Sequence, residues 1–246
     1  MDPQRKFRNQ RIKDTIVFFG SAKIQSRKTA RKILERLVKT KSSSKRIEQA
    51  KIDLEMSKYY DDTAELAYLL TRWSRKLKPY NRFVVCSGGG PGIMEAANLG
   101  ATRARGLSIG LNISLPLEQL SNKYITDELN FEFHYFFMRK FWLVYLAKAL
   151  VIMPGGYGTM DELFEILTLV QTGKIKKKMP IIIYGKDFWD NVINLKELYS
   201  KGMITKKDLT LFKFVNTPAE AFEYLKNQLS RYYIDIEQSL LNNKKI

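Results

Sequence analysis

Two glycine-rich turns follow apolar segments of this sequence, and each of them leads into a stretch with helical periodicity. The first contains Gly88, Gly89 and Gly90, and the second contains Gly155, Gly156, Gly158 and Thr159. A glycine turn between a strand and a helix places backbone N–H groups and the positive end of the helix dipole at one point. One such turn can be a tight connection only, whereas two in one sheet predict a site for an anion, most simply a phosphate.

The spacing of the glycines restricts which phosphate compound can bind. The dinucleotide fingerprint G-x-G-x-x-G fails in both turns, because its last glycine is replaced by Ile93 in the first and by Asp161 in the second. Neither of the two Gly-Lys pairs is followed by the Ser or Thr of a Walker loop. The sequence therefore disfavours NAD binding and ATP hydrolysis and leaves a mononucleotide or a sugar phosphate.

Glu162 follows the second turn, and two interpretations of it stay open at this stage. Thr159 and Glu162 fit the S/T-x-x-E capping box, in which the glutamate closes the helix terminus. Alternatively, Glu162 and Glu165 lie off the apolar stripe of this helix and face a cleft, where a carboxylate can stabilise the cationic centre of glycosidic cleavage. Arg139 lies in an aromatic run and is either a surface residue or a buried cation that needs a carboxylate or a phosphate as partner.

Composition excludes several other kinds of chemistry. The chain of 246 residues has one cysteine, Cys86, and one histidine, His134, which excludes an internal disulfide and Cys/His or di-histidine metal motifs. We therefore expect no metal and no cofactor. No apolar run approaches the ~18 residues of a membrane span and no signal segment opens the chain, so we expect no membrane partner and a cytoplasmic location.

The net charge of +17 is concentrated near the start of the chain, since residues 1–58 hold 17 Lys/Arg and 6 Asp/Glu. A solvated basic surface, attraction of nucleotides and binding of nucleic acid each explain such a charge. Phe7 is the only aromatic residue before Phe18, so stacking on bases is poorly supported and the sequence argues against nucleic acid as a partner.

Short apolar segments alternate with longer helical segments along most of the chain. This pattern is typical of a parallel sheet covered on both faces, and it predicts an α/β, Rossmann-like fold in a single domain. The predicted limits are a basic leader at 1–14, the domain at 15–241 with a basic insertion at about 23–58, and a tail at 242–246. We predict mostly helix over Phe131–Lys148, one helix over Asp187–Ser200, and a last helix from Pro218 to about Leu241.

Four motifs of the sequence resemble those of the LOG ("Lonely Guy") family. They are Ser87–Asn98, Ser108–Glu118, Phe137–Lys140 and Pro154–Glu162, and the resemblance extends over roughly residues 15–228. Members are nucleoside 5′-monophosphate phosphoribohydrolases, including cytokinin-activating enzymes. The chain looks like the bacterial branch, formerly labelled lysine decarboxylase. A pyridoxal phosphate enzyme of that sort typically has a His-Lys pair, and here Tyr135 follows His134, so we reject that label.

The resemblance implies hydrolysis of the N-glycosidic bond of AMP or a cytokinin riboside monophosphate to free base and ribose 5-phosphate. Arg139 and Glu162 match the catalytic pair, Gly155–Thr159 match the phosphate loop, and further ligand-contacting positions match Glu118, Lys140 and Thr168. The family works as homodimers or larger homo-oligomers, and the aromatic run Phe131–Trp142 is too apolar to stay exposed. The alternative function is a non-catalytic carrier of nucleotides or other small ligands, which could dispense with the Arg–Glu pair.

Overall fold

The computed structural model describes residues 3–114 and 120–235. Seven parallel strands form one sheet in the order β4-β3-β2-β1-β5-β6-β7. The strands are β1 Asp14–Phe19, β2 Phe83–Ser87, β3 Ser108–Ile113, β4 Asn130–Phe133, β5 Ala147–Ile152, β6 Ile181–Tyr184 and β7 Lys213–Val215. The helices are α1 Pro3–Asn9, α2 Arg27–Lys39, α3 Ser44–Met56, α4 Lys58–Ser74, α5 Ile93–Arg103, α6 Phe136–Tyr145, α7 Tyr157–Gln171, α8 Lys186–Val192, α9 Leu195–Ser200 and α10 Pro218–Leu229. Short 3-10 turns lie at Pro79–Asn81, Asp127–Leu129 and Asp208–Thr210, and a π-helical turn lies at Ser230–Ile234.

The sheet lies between two layers of helices, because alternate residues of a buried strand point to opposite faces. Ile16 and Phe18 of β1 belong to a core shared with α4, α5 and α10. Val17 and Phe19 belong to a second core, on the other face, shared with α1, α6 and α7. The prediction of an α/β fold with a parallel sheet covered on both faces is confirmed.

The strand order reverses between β1 and β5, at the middle of the sheet. From β1 the chain proceeds outward through β2 and β3 to β4, and it then returns to place β5 on the other side of β1. In open parallel sheets, ligands bind outside the carboxyl ends of the strands at such a reversal. The segments that follow β1 and β5 therefore lie where a ligand is expected, and the second of them is the predicted phosphate loop.

Two stretches near the amino terminus contain more regular structure than their composition suggests. Within the predicted leader, α1 carries Phe7, whose buried ring lies 5.2 Å from that of Phe131 and 5.9 Å from that of Trp142. This part of residues 1–14 therefore packs on the core. The stretch at 23–58 forms a helical hairpin of α2 and α3, with a turn at Thr40–Ser43 between them.

Two predicted helices are wrong in their extent. Residues 130–133 form the edge strand β4 rather than helix, because Phe131 is buried beside Leu111 of β3 while the adjacent Glu132 faces solvent. The helix predicted over Asp187–Ser200 is divided into α8 and α9, since Asn194 accepts a hydrogen bond from the Glu197 N–H and begins a new helix.

The predicted continuation to Leu241 and the tail at 242–246 lie outside the described residues. No helix in the described part of the chain is long and apolar enough to cross a membrane.

Candidate functional site

A cavity of about 640 Å³ opens at the carboxyl edge of the sheet, between the ends of β1 and β5. Its volume lies within the range of roughly 300–1,000 Å³ that small-molecule sites occupy. The lining residues are Phe18, Phe19, Gly20, Ser21, Ala22, Lys23, Gly88, Met94, Arg139, Leu143, Gly156, Tyr157, Gly158, Thr159, Met160 and Glu162. Three of them are charged, so the lining can attract an anion through two cations and act on it through one carboxylate.

One wall of the cavity is the amino-terminal turn of α7. Gly156 occupies the position before the helix and Tyr157 is its first residue, so the N–H groups of the first turn have no acceptor within the helix. A Cβ atom added at Gly156 or Gly158 would meet no other atom within 4 Å. The backbone here is therefore open to a ligand, and the helix terminus favours an anion.

The capping-box interpretation of Thr159 and Glu162 is wrong, because α7 begins two residues before Thr159. No side chain caps this helix, and Glu162 lies in its second turn. Thr159 packs instead against Gly155, where an added Cβ would lie only 2.9 Å from the Thr159 Cγ2 atom. Glu162 is nevertheless 4% exposed, and burial of a carboxylate that does not cap a helix needs another reason.

Arg139 of α6 and Glu162 of α7 lie next to each other in the lining of the cavity. Their closest atoms, Nη2 and Oε1, are 3.7 Å apart, and their side chains are 15% and 6% exposed. This distance exceeds that of a hydrogen bond, so both groups keep bonding capacity for a ligand. The Arg139 Nε is buried and has no hydrogen-bond partner in the described part of the chain. Its guanidinium lies 5.3 Å from the centre of the Phe136 ring.

Burial changes the pKa values of both residues of this pair. Burial raises the pKa of Glu162 to about 7, and the charges of Lys140 and Arg139 oppose only part of that increase. Burial likewise lowers the pKa of Arg139, against the effect of the Glu162 charge. Glu162 can therefore gain or lose a proton near neutral pH, which is the property of a general acid or base.

The other predicted site residues are not all at the cavity. Gly88 lines it, whereas Gly89, Gly90 and Gly155 are buried behind its wall. Lys140 lies outside the lining and bridges Asp161 and Glu165, each at 2.7 Å. Thr168 is exposed farther along α7, and its hydroxyl donates to the Phe164 carbonyl at 2.7 Å. Glu118 lies outside the described residues. Ligand contacts by Glu118, Lys140 and Thr168 stay predictions.

Sequence reasoning missed Ser21 and Lys23, which line the cavity just after β1. The signal was available, because they follow Gly20 at the end of the first predicted strand, and all carboxyl ends of a parallel sheet lie at one edge. His134 is exposed and lies outside the lining, so it is neither a packed core residue nor a group of this site. Within residues 3–114 and 120–235, no group of three or more His, Cys, Asp or Glu side chains could hold a metal ion.

Comparison with known proteins agrees with this geometry. A family model described as "Possible lysine decarboxylase" matches residues 94–225, more than half of the chain. The chain belongs to this family, the LOG family. It is 29% identical over 100 residues to the cytokinin riboside 5′-monophosphate phosphoribohydrolase LOG of Oryza sativa subsp. japonica, with 40% of each chain covered. It is 40% identical over 57 residues to a probable cytokinin riboside 5′-monophosphate phosphoribohydrolase LOG4 of the same plant, with 23% of each covered.

These matches span at most 40% of the length of the two rice proteins. Among solved structures, the fold is similar to that of the molybdenum cofactor carrier protein of Chlamydomonas reinhardtii. Two structures of that protein each have a TM-score of 0.50, with 16% and 18% identity, and cover 89% of this chain and 99% of the carrier. At such identity the likeness shows the shared fold of this LOG-family chain and nothing about its ligand.

Proposed function

We propose that this LOG-family protein hydrolyses the N-glycosidic bond of nucleoside 5′-monophosphates, AMP among them, to free base and ribose 5-phosphate. The observation that carries the proposal is the buried Arg139–Glu162 pair, which faces the same cavity as the open backbone of α7. The rice relatives, named as phosphoribohydrolases of a riboside 5′-monophosphate, support it.

In this proposal the 5′-phosphate binds at the amino-terminal turn of α7. The N–H groups of Tyr157, Gly158 and Thr159 donate to the phosphate oxygens, and the positive helix end and Lys23 attract its charge. The phosphate tethers the ribose in the cavity with its reacting carbon toward Glu162. The binding energy of the phosphate, which does not react, thereby orients the ribose carbon, which does.

Cleavage then needs stabilisation of positive charge on the ribose. As the C1′–N bond lengthens, an oxocarbenium-like centre develops, and the ionised Glu162 stabilises it. Water adds its hydroxyl to C1′, with Glu162 accepting the water proton, and the electron pair of the broken bond leaves with the base nitrogen. Glu162 then gives its proton to that nitrogen, which returns the carboxylate to its ionised form. Arg139 favours the ionised form of Glu162 and neutralises the anionic substrate.

The proposal is tested by incubating the purified protein with AMP and with adenosine and measuring adenine and ribose 5-phosphate by chromatography. We expect kcat/KM for AMP to exceed that for adenosine by about 100-fold or more, since anchoring of the phosphate contributes a few kcal/mol to the transition state. Equal rates on the two compounds would contradict phosphate anchoring. Binding of AMP without release of adenine would indicate a carrier and would overturn the proposed activity.

A further inference from the structure

The glycine turn after β2 is held by Asn122, from a distant part of the chain, and by the Ser87 hydroxyl, which accepts from the Gly89 N–H at 3.1 Å. The backbone N–H of Asn122 donates to the Gly89 carbonyl at 2.8 Å. Its side-chain Nδ2 donates to the carbonyls of Gly89 at 2.9 Å and Gly90 at 3.0 Å. The Asn122 Oδ1 accepts from the Tyr124 N–H at 3.1 Å, and this bond together with the two carbonyl acceptors fixes which end of the amide is the donor.

The same carboxamide, itself half-buried, contacts a buried polar network. Asn122 Nδ2 also lies 2.9 Å from Asn98 Oδ1, so its two hydrogens are shared among three acceptors, and the Ser87 hydroxyl donates to that oxygen at 2.7 Å. The Asn98 Nδ2 in turn donates to the Ser108 Oγ at 2.6 Å and to the Ile109 carbonyl at 3.1 Å. Ser87, Asn98 and Ser108 are 0% exposed. Because both ends of the Asn98 amide are satisfied, the network is rigid and joins β2, α5 and β3 behind the turn.

The held turn is in contact with the site. Gly88 lines the cavity, and a Cβ atom added to it would lie 3.7 Å from the Arg139 Nη1 atom. Gly89 has a φ of +77°, so the turn adopts a conformation that depends on glycine and on the N–H groups that donate to its carbonyls. A shift of this turn moves Gly88 of the cavity lining relative to the Arg139 guanidinium, which also contacts the Phe136 ring and pairs with Glu162.

We infer that Asn122 is a positioning residue for the reaction: by clamping the carbonyls of Gly89 and Gly90, it fixes the turn that sets Arg139 against Glu162. The inference rests on the proposed function. Asn122 itself lies outside the cavity lining, so it acts through the turn and touches no substrate. The phosphate position on α7 does not depend on this network, and the two parts of the site can therefore be separated by experiment.

The test compares kcat and KM for AMP in the wild type, Asn122→Asp and Asn122→Ala, each per folded molecule. The Asp variant keeps the shape but turns a donor into a carboxylate that repels the two carbonyls, and the Ala variant removes the side-chain donor without adding charge. Both variants keep the backbone N–H bond of position 122 to the Gly89 carbonyl. We expect kcat to fall by roughly tenfold to a hundredfold, the scale of a misplacement near 1 Å. We expect KM, and the Kd of ribose 5-phosphate, to stay within about twofold, because in this inference the α7 turn is untouched.

Asn191→Asp is the matched control, because its side-chain Nδ2 also donates to a backbone carbonyl, that of Asp187 at 2.7 Å, on an exposed face of α8. It should keep a normal kcat. If Asn122→Asp and Asn122→Ala melt at a lower temperature than the wild type yet keep its kcat, the role of Asn122 is merely structural. That result overturns this inference and leaves the proposed function unaffected. If the wild type releases no base from any nucleoside monophosphate, the proposed function is overturned and the inference with it.

Discussion

At the scale of single residues, burial of Glu162 has opposite consequences for folding and for catalysis. The pKa of this carboxyl is about 7 in the folded chain against an ordinary value of 4.5. The folded state therefore binds the proton more tightly than the unfolded state, and the ionised carboxylate destabilises the fold as pH rises from 4.5 through about 7. The difference between the two pKa values corresponds to a destabilisation of the fold on the order of 3 kcal/mol, and this destabilisation is fully present above pH 7. A carboxylate kept at such a cost is typical of a functional group.

We expect Glu162→Gln to unfold at a higher temperature than the wild type at pH 8, because the variant removes the buried carboxylate whose ionisation destabilises the fold. The difference should shrink as the pH falls toward 5, where the wild-type carboxyl is protonated in the folded state. The same variant should lose about 100-fold or more in kcat on AMP, since stabilisation of the ribose cation is lost. Thermal unfolding followed by circular dichroism at several pH values, together with release of adenine, measures both effects.

Glu165→Gln is the control for this pair of effects. Glu165 lies on the same helix and pairs with Lys140 at 2.7 Å, outside the cavity lining. Its variant should keep a normal kcat and should not become more stable at pH 8. A Glu162→Gln protein that melts below the wild type at pH 8 and keeps its turnover would contradict the catalytic assignment of Glu162.

At the scale of elements, the amino-terminal turn of α7 has glycines that packing does not demand. Gly158 lies inside the helix, and a Cβ there would meet nothing within 4 Å, whereas one at Gly155 would collide with Thr159. In a helix, alanine is favoured over glycine by roughly 0.5–1 kcal/mol. Glycine at position 158 is therefore explained by access to the backbone rather than by stability.

We expect Gly158→Ala to melt at or above the wild-type temperature and to raise KM for AMP by about tenfold, with a smaller change in kcat. The methyl group narrows the space over the N–H groups, and loss of binding common to substrate and transition state appears in KM. Gly155→Ala should instead lower the melting temperature, since Thr159 must move. Steady-state kinetics with AMP and thermal unfolding of the two variants separate these outcomes. An unchanged KM in Gly158→Ala would place the phosphate elsewhere.

The elements also show which features the sequence could predict. Strands β1, β2, β5 and β6 are continuous apolar runs next to glycine, and this local pattern was sufficient to locate them and both turns. The sequence predicts helix at β4 because the strand, Asn130–Phe133, is only four residues long and the aromatic residues of α6 begin three residues after it. Asn122 could not be ranked from the sequence, because its role comes from contacts with a segment more than 30 residues away in the chain.

At the scale of the whole molecule, charge and site share one edge of the sheet. Helix α2, with six Lys/Arg and one Glu, begins four residues after Lys23 of the cavity lining. Helix α3 returns to the same edge, because α4, which follows it directly, must run back to the start of β2. The hairpin therefore adds a positive field beside the cavity, and such a field raises the local concentration of anions such as nucleotides. We therefore expect the basic insertion to attract anionic ligands of the site rather than nucleic acid.

The opposite property, exposed apolar surface, is concentrated on α6. Leu143 is its one buried residue, while Phe136, Phe137, Phe141 and Tyr145 are each more than half exposed. The last three line a groove of about 550 Å³ between α6, the end of α7 and the segment 174–177. A helix that is apolar on most sides is stable only when another surface covers it. A second copy of this chain offers the same apolar face, so we predict a two-fold homodimer through α6.

We expect light scattering at micromolar concentration to give at least twice the mass of the chain. The Phe137→Glu variant should have the mass of a single chain, because a charge cannot be buried at an apolar interface without a partner. Tyr80→Glu is the control, since Tyr80 is a similarly exposed aromatic residue that lies just before β2, away from α6. Arg139 lies on the same helix as the interface, so the monomeric Phe137→Glu variant should also lose turnover on AMP. A wild-type protein that is monomeric and fully active would contradict the dimer and would show that α6 holds Arg139 in place without a partner.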